Sequence, residues 1–286
     1  MKIGINYDIC NLGGYSRFNE NRFLKMRECG FEAVDYCLAD TESELYTLPE
    51  AQANRVLDGE LEAITSAGLF VSQVHGPWRW PADDATVSAR SERMEKMLRS
   101  MEMSLKLGCK NWVIHPLAPC GWSEANTDAA KTTWDVNLEF MLRITQYAKE
   151  RDITVCFENM PMPQFSIAAP EDTLKFVRQI NDEHFRICFD TGHAQVFTDE
   201  AVGDAVRKLG EYIRVFHIHD SKWKLDLHLF PFMGVIDWAD FSAAVKEIGY
   251  SGVFSLETGP SANLSDELFA NTGKLLCNYA EHIINM

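Results

Sequence analysis

The feature that most constrains the fold is a regular alternation of short apolar runs and amphipathic segments along all 286 residues. The apolar runs predict strands at residues 2–6, 31–36, 69–75, 111–115, 153–158, 186–190, 214–217 and 252–257. Apolar residues at three-to-four spacing predict helices at 18–29, 48–67, 87–107, 134–150, 170–180, 199–209, 238–248 and 266–284. Because each crossover between parallel strands needs a helix, this order predicts eight parallel strands.

Eight strand-helix units favour a closed barrel over an open sheet. The chain length matches an α/β fold of the (β/α)8 TIM-barrel type, which forms one domain of roughly 250 residues. An open doubly wound sheet would be expected to carry a glycine-rich phosphate turn after strand one, and Gly13-Gly14 lacks the third glycine. We therefore predict a single TIM-barrel domain over residues 1–286.

The composition restricts the kinds of partner that this protein is expected to bind. The net charge of −15 argues against a nucleic-acid partner bound through a broad basic surface. No apolar stretch approaches the roughly 20 residues that span a bilayer, and the N-terminus lacks a signal-peptide pattern, so we expect no membrane partner. The eight cysteines form no CxxC pair, which indicates reduced packing residues and a cytoplasmic protein.

Four consecutive strands in the second half end on residue types that bind metals. These residues are Glu158, Asp190, His217 and Glu257. The carboxyl ends of parallel strands share one rim, where α/β folds place their chemistry, so we expect one common site. Three carboxylates and one imidazole suit Mn²⁺ or Mg²⁺, and the histidine keeps Zn²⁺ or Co²⁺ open.

Histidines are concentrated at the same rim. Six of the eight lie at or just beyond predicted strand ends: His75, His115, His193, His217, His219 and His228. Taken alone, each of these histidines is explained about equally well as a residue that caps a loop or as a metal ligand. With the carboxylates and with Asp226, the set favours a metal site, because so many converging ionisable groups need a compensating cation.

Several motifs together resemble a known family. They are Phe-Glu158-Asn159, Asp190-Thr-Gly-His193, His217-Ile-His219-Asp220-Ser-Lys222, Asp226-Leu-His228, Gly234-Val-Ile-Asp237-Trp238, Leu-Glu257-Thr, His75-Gly-Pro77 and His115-Pro116. The combination resembles the sugar phosphate isomerase/epimerase branch of the xylose-isomerase-like TIM barrels over essentially the whole chain. Each piece alone is a weak signal.

The resemblance implies a metal-dependent isomerase or epimerase. In ketose 3-epimerases of this branch, residues matching the four strand endings hold one divalent ion, and those matching Glu158 and Glu257 act as acid and base. A metal chelated by a carbonyl and its neighbouring hydroxyl stabilises the enediolate formed on proton removal. One glutamate removes the proton and the other returns one. The residue matching His193 orients substrate hydroxyls.

The expected substrate is a small carbohydrate, and further residues are candidates to contact it. We predict contacts from His75, His115, Lys222 and Trp78, with His219, Asp226 and His228 as additional metal or substrate ligands. Relatives place an arginine where this chain has Ser221-Lys-Trp-Lys224, so Lys222 or Lys224 is its candidate replacement and a solvated loop lysine is the equal alternative. Trp80 and Trp122 are also predicted near the barrel mouth, as pocket wall, lid or oligomer contact.

Three other functions compete with this interpretation. The same superfamily contains apurinic-site endonucleases that bind three zinc ions, and the chain has a residue for each of their nine ligands: His75, His115, Glu158, Asp190, His193, His217, Asp226, His228 and Glu257. Against it, that family reads Asp-Thr-Cys-His where this chain has Gly192. An inosose-type dehydratase shares the one-metal set. A non-catalytic sugar-binding barrel is disfavoured by the two glutamates, and the sequence leaves a homo-oligomer open.

Overall fold

The computed structural model describes residues 1–8, 15–78, 81–197 and 200–286, and it contains the predicted eight-stranded parallel barrel. The barrel strands are β1 (Lys2–Asn6), β2 (Ala33–Cys37), β3 (Phe70–His75), β4 (Asn111–Ile114), β5 (Thr154–Glu158), β6 (Phe185–Asp190), β7 (Ile213–His217) and β10 (Val253–Leu256). They pair in the order β10-β1-β2-β3-β4-β5-β6-β7. The predicted TIM-barrel fold is confirmed.

The barrel closes between β7 and β10 just beyond the end of β7. The Ile218 amide donates to the Ser255 carbonyl at 2.9 Å, and the Glu257 amide donates to the Ile218 carbonyl at 2.9 Å. These two hydrogen bonds complete a ring of strands whose carboxyl ends form one rim.

Helices follow the strands and, apart from the five-residue helix at the rim (Thr191–Gln195), cover the outside of the barrel. They are α1 (Arg22–Glu28), α2 (Glu50–Ser66), α3 (Val87–Lys106), α4 (Thr127–Lys149), α5 (Pro170–Ile180), α6 (Thr191–Gln195), α7 (Val202–Leu209), α8 (Trp238–Glu247) and α9 (Asp266–Asn285). Among these helices none is both long enough and apolar enough to cross a bilayer.

Two helix starts differ from the prediction by four residues or more. Helix α4 begins at Thr127 rather than at residue 134, because the Asn126 side chain accepts hydrogen bonds from the amides of Asp128 and Ala129 and caps the helix there. Its first turns are largely exposed, so apolar periodicity does not reveal them. Helix α1 begins at Arg22 rather than at 18, since a 3₁₀ segment precedes it. The predicted helix start at residue 199 lies outside the described residues.

The barrel interior below the rim is apolar on one side. Cys156 and Cys188 are fully buried there with Val113 and Val215, as the packing role predicted for these cysteines requires. Outside the barrel, strand and helix aromatics such as Phe157 and Phe176 stack with ring centroids 5.0 Å apart. This packing holds the strand ends in a rigid frame.

Two elements at the rim were not predicted from the sequence, the short helix α6 and a hairpin. Strands β8 (Asp220–Lys222) and β9 (Leu225–Leu229) form an antiparallel hairpin, and Lys224 in its turn has a positive φ of 62°. Along β9, Leu225 and Leu227 are exposed while Asp226 and His228 are partly buried. The polar side chains of this strand face the protein and its leucines face solvent. Because an ordinary half-buried strand has the opposite arrangement, the apolar pattern did not reveal this strand.

Candidate metal centre

The four predicted ligands meet at the carboxyl rim of the barrel. Glu158, Asp190 and His217 are the last residues of β5, β6 and β7, and Glu257 directly follows β10. One ligand atom from each lies within 4.8 Å of the others. His217 Nδ1 is 2.9 Å from Glu158 Oε1 and 3.4 Å from Glu257 Oε2. Barrel closure therefore brings together residues that are up to 99 positions apart in the chain.

The residues present fit a divalent cation. All four side chains are buried, with Glu257 the most accessible at 8% exposure. Three carboxylates at this separation repel one another in a poorly solvated site, and an ion between them removes that repulsion. Oxygen donors with one imidazole match the ligand preferences of Mn²⁺, Mg²⁺, Zn²⁺ and Co²⁺.

The two glutamates experience opposite electrostatic environments. Burial raises the pKa of Glu257 to about 8, more than the nearby His217 lowers it. Burial also acts to raise the pKa of Glu158, but His217 and His115 together hold that pKa well below its ordinary value. In the metal-free protein one carboxyl group thus favours the protonated form and the other the ionised form, a difference typical of acid-base pairs.

A second group of ligating residues adjoins the first through Glu158. His115 Nε2 is 3.1 Å from Glu158 Oε2 and 3.2 Å from His75 Nε2. Since the Gly76 carbonyl only accepts, His75 Nδ1 donates to it at 2.8 Å and leaves Nε2 facing the site. Burial lowers the pKa of His115 to about 4, which keeps it neutral.

A third group lies on the hairpin side of the site. It consists of His193, His219, Asp226 and His228. The Nε2 atoms of His193 and His228 are 3.4 Å and 3.6 Å from Asp226 Oδ2. Their Nδ1 atoms contact the carbonyls of Asn159 and Glu257, both at 2.8 Å. Backbone contacts thus orient both imidazoles toward the carboxylate.

Gly192 makes room for one member of this third group. A Cβ atom added at Gly192 would lie 1.9 Å from Cε1 of His219. His219 Nε2 in turn contacts Asp190 Oδ1 at 3.0 Å, and Thr191 Oγ1 donates to the His219 carbonyl at 2.7 Å. The glycine that separates this chain from the endonuclease signature therefore has a steric role.

We expect Gly192→Ala to displace His219 and to weaken metal binding through Asp190. A contact of 1.9 Å cannot persist, so the ring or the α6 backbone must shift. The expected result is a several-fold lower metal affinity with a cooperative unfolding transition retained, measured by metal titration and thermal melting. Gly59→Ala is the matched control, because a Cβ at Gly59 meets nothing within 4 Å. Wild-type affinity in Gly192→Ala would contradict the steric argument.

A cavity of about 170 Å³ opens above the ligand residues. Trp78, Met160 and Met162 provide apolar wall, and His193, Asp226 and His228 provide polar groups. A larger cavity of about 570 Å³ lies at the opposite, amino-terminal end of the barrel, away from all three ligand groups. The chemistry of the lining residues identifies the smaller cavity as the candidate site.

The remaining predicted residues are placed differently. Lys222 is exposed at the end of β8 and is not among the described residues that line the cavity, so the expectation that it contacts substrate finds no support in its position. Trp122 packs against Phe165 with ring centroids 5.0 Å apart and does not line the cavity either. Trp80 lies outside the described residues.

Sequence reasoning missed a buried carboxylate beneath the site. Asp35 on β2 is fully buried, and its Oδ2 lies 3.0 Å from His217 Nε2. Gln73 Nε2 donates to the same oxygen at 3.0 Å. The available signal was a lone aspartate inside a predicted apolar strand, where charged residues are rarely buried without a partner.

Fold and site together define an α/β barrel whose carboxyl rim carries a buried, carboxylate-rich cluster of residues that could hold a metal ion. The model of the xylose isomerase-like TIM barrel family matches residues 23–271, and the chain belongs to this family.

Relatives detected by sequence include an uncharacterized protein of Methanocaldococcus jannaschii, 28% identical over 74% of this chain and 70% of the relative. D-psicose 3-epimerase of Ruminiclostridium cellulolyticum is 21% identical over 66% of this chain and 64% of its own length.

Solved structures share the whole fold. A D-tagatose 3-epimerase-like protein superimposes with a TM-score of 0.77 at 24% identity, covering 100% of this chain and 98% of its own. The IolI protein, whose structure has a bound zinc atom, superimposes with a TM-score of 0.71 at 18% identity, covering 99% and 96%. At these identities the likeness establishes the fold.

Proposed function

We propose that this protein is a divalent-metal-dependent isomerase or epimerase that acts on a sugar, a sugar phosphate or a related polyol ketone. The observation that carries the proposal is the meeting of Glu158 and Glu257 with Asp190 and His217 in one buried set beside a small cavity. The epimerase relatives and the zinc-containing structure of the same fold support the choice of reaction class and of a metal cofactor.

The proposed reaction is a proton transfer at a carbon next to a carbonyl. When bound by the four ligands, a divalent cation would polarise the substrate carbonyl and oppose the negative charge of the enediolate. Glu158 or Glu257 accepts the carbon-bound proton, and the other carboxyl group delivers a proton to the opposite face. Return to the same carbon gives an epimer. Return to the former carbonyl carbon, with transfer of the neighbouring hydroxyl proton to the former carbonyl oxygen, gives an aldose-ketose pair.

The cavity supplies both polar and apolar contacts for a polyol. His193, Asp226 and His228 offer hydrogen-bonding groups at hydroxyl-binding positions, while Trp78 and Met160 offer surface for the C–H face of a sugar. The volume of about 170 Å³ restricts the substrate to a small molecule. Burial of the carboxyl groups excludes water, which would strengthen the attraction between a bound cation and the developing negative charge of the substrate.

The proposal is tested by solvent isotope incorporation. Metal-loaded protein is incubated in D₂O with a panel of ketopentoses, ketohexoses, their phosphates and inososes, and products are analysed by NMR and mass spectrometry. We expect one deuterium at a single carbon next to the carbonyl of at least one ketose, together with its epimer or isomer. No exchange with any member of the panel would contradict the proposal, and loss of water from the product would assign an inosose-type dehydratase instead.

A second candidate function has its own observation. The groups His75-His115-Glu158 and His193-His219-Asp226-His228 flank the four-residue set, so the structure gathers all nine residues of the three-zinc endonuclease pattern. The charge of −15 and Gly192 in place of cysteine weigh against it. A count of bound metal separates the candidates, since one ion supports sugar chemistry and three ions with incision of an abasic duplex support the nuclease.

A further inference from the structure

The inference concerns the layer of side chains directly beneath the rim, inside the barrel. On the β4 to β7 side this layer is apolar and consists of Val113, Cys156, Cys188 and Val215. On the β2 to β3 side it contains Asp35 and Gln73, which are 0% and 1% exposed. A buried carboxylate is destabilising unless it has partners, so its contacts indicate what it does there.

One Asp35 oxygen is shared by two neighbours. Oδ2 accepts a hydrogen bond from Gln73 Nε2 at 3.0 Å and lies 3.0 Å from His217 Nε2. Gln73 Nε2 also donates to the Phe216 carbonyl at 3.2 Å, which anchors the amide to the strand that carries His217. The 3.0 Å approach of His217 Nε2 to Oδ2 is an ion-pair contact without hydrogen-bond geometry, and Nε2 has no hydrogen-bond partner among the described residues.

The two nitrogens of His217 therefore face different surroundings. Nδ1 points to the ligand set, 2.9 Å from Glu158 Oε1, and Nε2 points down to Asp35. The ring plane is fixed separately, because it stacks on His75 with centroids 5.7 Å apart and an angle of 7°. The stacking does not determine which of the two nitrogens carries the proton when the imidazole is neutral.

We propose that Asp35, held by Gln73, is a positioning residue that keeps the proton of His217 on Nε2 and so presents the Nδ1 lone pair to the metal. A carboxylate accepts but does not donate, so Asp35 favours hydrogen on Nε2. Glu158 Oε1, 2.9 Å from Nδ1, favours hydrogen on Nδ1 in the metal-free protein, and a bound metal would take the place of that hydrogen. A carboxylate behind a ligating imidazole also increases its basicity and fixes its orientation. The inference rests on the metal site of the proposed function.

Two substitutions at Asp35 separate the contribution of its hydrogen-bond acceptor from that of its charge. Asp35→Leu removes the acceptor at similar size. Asp35→Asn keeps the size but removes the charge, and its amide can present either an acceptor or a donor to Nε2, so it no longer restricts His217 to the Nε2–H tautomer. Ser72→Ala is the matched control, because it deletes a buried hydrogen bond to the Val34 carbonyl, between the same two strands, without touching His217.

The measurements are metal titration by chelator competition, the visible absorption of the Co²⁺ form, and thermal melting of the metal-free proteins. We expect the metal dissociation constant to rise about 10- to 100-fold in Asp35→Leu and by about tenfold in Asp35→Asn. The Co²⁺ bands should shift in both. Excess metal should restore most of the turnover, whereas Ser72→Ala should keep wild-type affinity and spectrum even where its melting temperature falls.

The outcomes distinguish this inference from the proposed function. If the wild-type protein binds no divalent metal, the proposed function fails and Asp35 loses its role with it. If the wild-type protein binds metal and Asp35→Asn has the same affinity and Co²⁺ spectrum, only the inference about Asp35 is overturned. Should Asp35→Leu fail to fold, the comparison of Asp35→Asn with wild type decides the question.

Discussion

Replacing Glu257 by glutamine is expected to slow proton exchange at the substrate carbon by about 10²- to 10⁴-fold, the range typical of a lost general acid or base. The amide keeps an oxygen that can face the metal but cannot take up the proton. Folding should be little affected. Because burial raises the pKa of Glu257 to about 8, its carboxyl group is already largely neutral in the metal-free protein near pH 7.

The measurement is the rate of deuterium incorporation at saturating metal, so that a change in metal affinity is not mistaken for a change in the rate of proton transfer. Glu183→Gln is the matched control, since Glu183 is exposed and lies between α5 and β6, toward the amino-terminal end of the barrel. Metal content and melting temperature are recorded for both variants. Full deuterium incorporation by metal-loaded Glu257→Gln would overturn the assigned role.

Removing the metal is expected to abolish activity and to lower stability. A chelator should stop proton exchange, and one equivalent of Mn²⁺, Co²⁺, Mg²⁺ or Zn²⁺ should restore it. Any ion that binds the folded state alone stabilises it, by about 2.7 kcal/mol at a free concentration one hundred times its dissociation constant. The reason is that a bound ion compensates the buried negative charge of Glu158 and Asp190 and favours ionisation of Glu257, which is largely protonated without metal.

This prediction is checked by elemental analysis, activity after dialysis against chelator, and melting curves with and without metal. Asp190→Asn is the matched variant, because it removes one charged ligand and should lose most of the metal-induced rise in melting temperature. Full activity of a protein shown to be metal-free, with no response to any of the four ions, would contradict the metal-dependent mechanism.

Much of the fold follows from local pattern. A run such as residues 153–158 is apolar because a barrel strand is covered on both faces, and it ends on Glu158 because the rim meets the cavity. Helix boundaries are less certain from pattern alone. The start of α4 depends on the Asn126 cap, since its exposed first turns have no apolar periodicity.

The hairpin and Asp35 show where local pattern fails. In β9 the polar residues Asp226 and His228 face inward, toward His193 and His219. Apolar residues therefore lie on the outer face of β9, whereas in a core strand they lie on the inner face. Asp35 looked like an ordinary residue of a short strand, and its contact with His217 spans 182 positions of sequence. Neither the inward orientation of the β9 polar residues nor the Asp35–His217 contact can be inferred from local sequence, because both depend on the closed barrel.

The eight strand-helix units, their parallel order and the four residues at the strand ends follow from the sequence alone, because periodicity and strand length are local properties. The folded barrel was needed to show which of the rim residues share a cavity, that Lys222 is exposed and does not line it, and that Asp35 lies behind His217. Those relations depend on barrel closure and on the hairpin, which bring distant side chains within hydrogen-bonding distance.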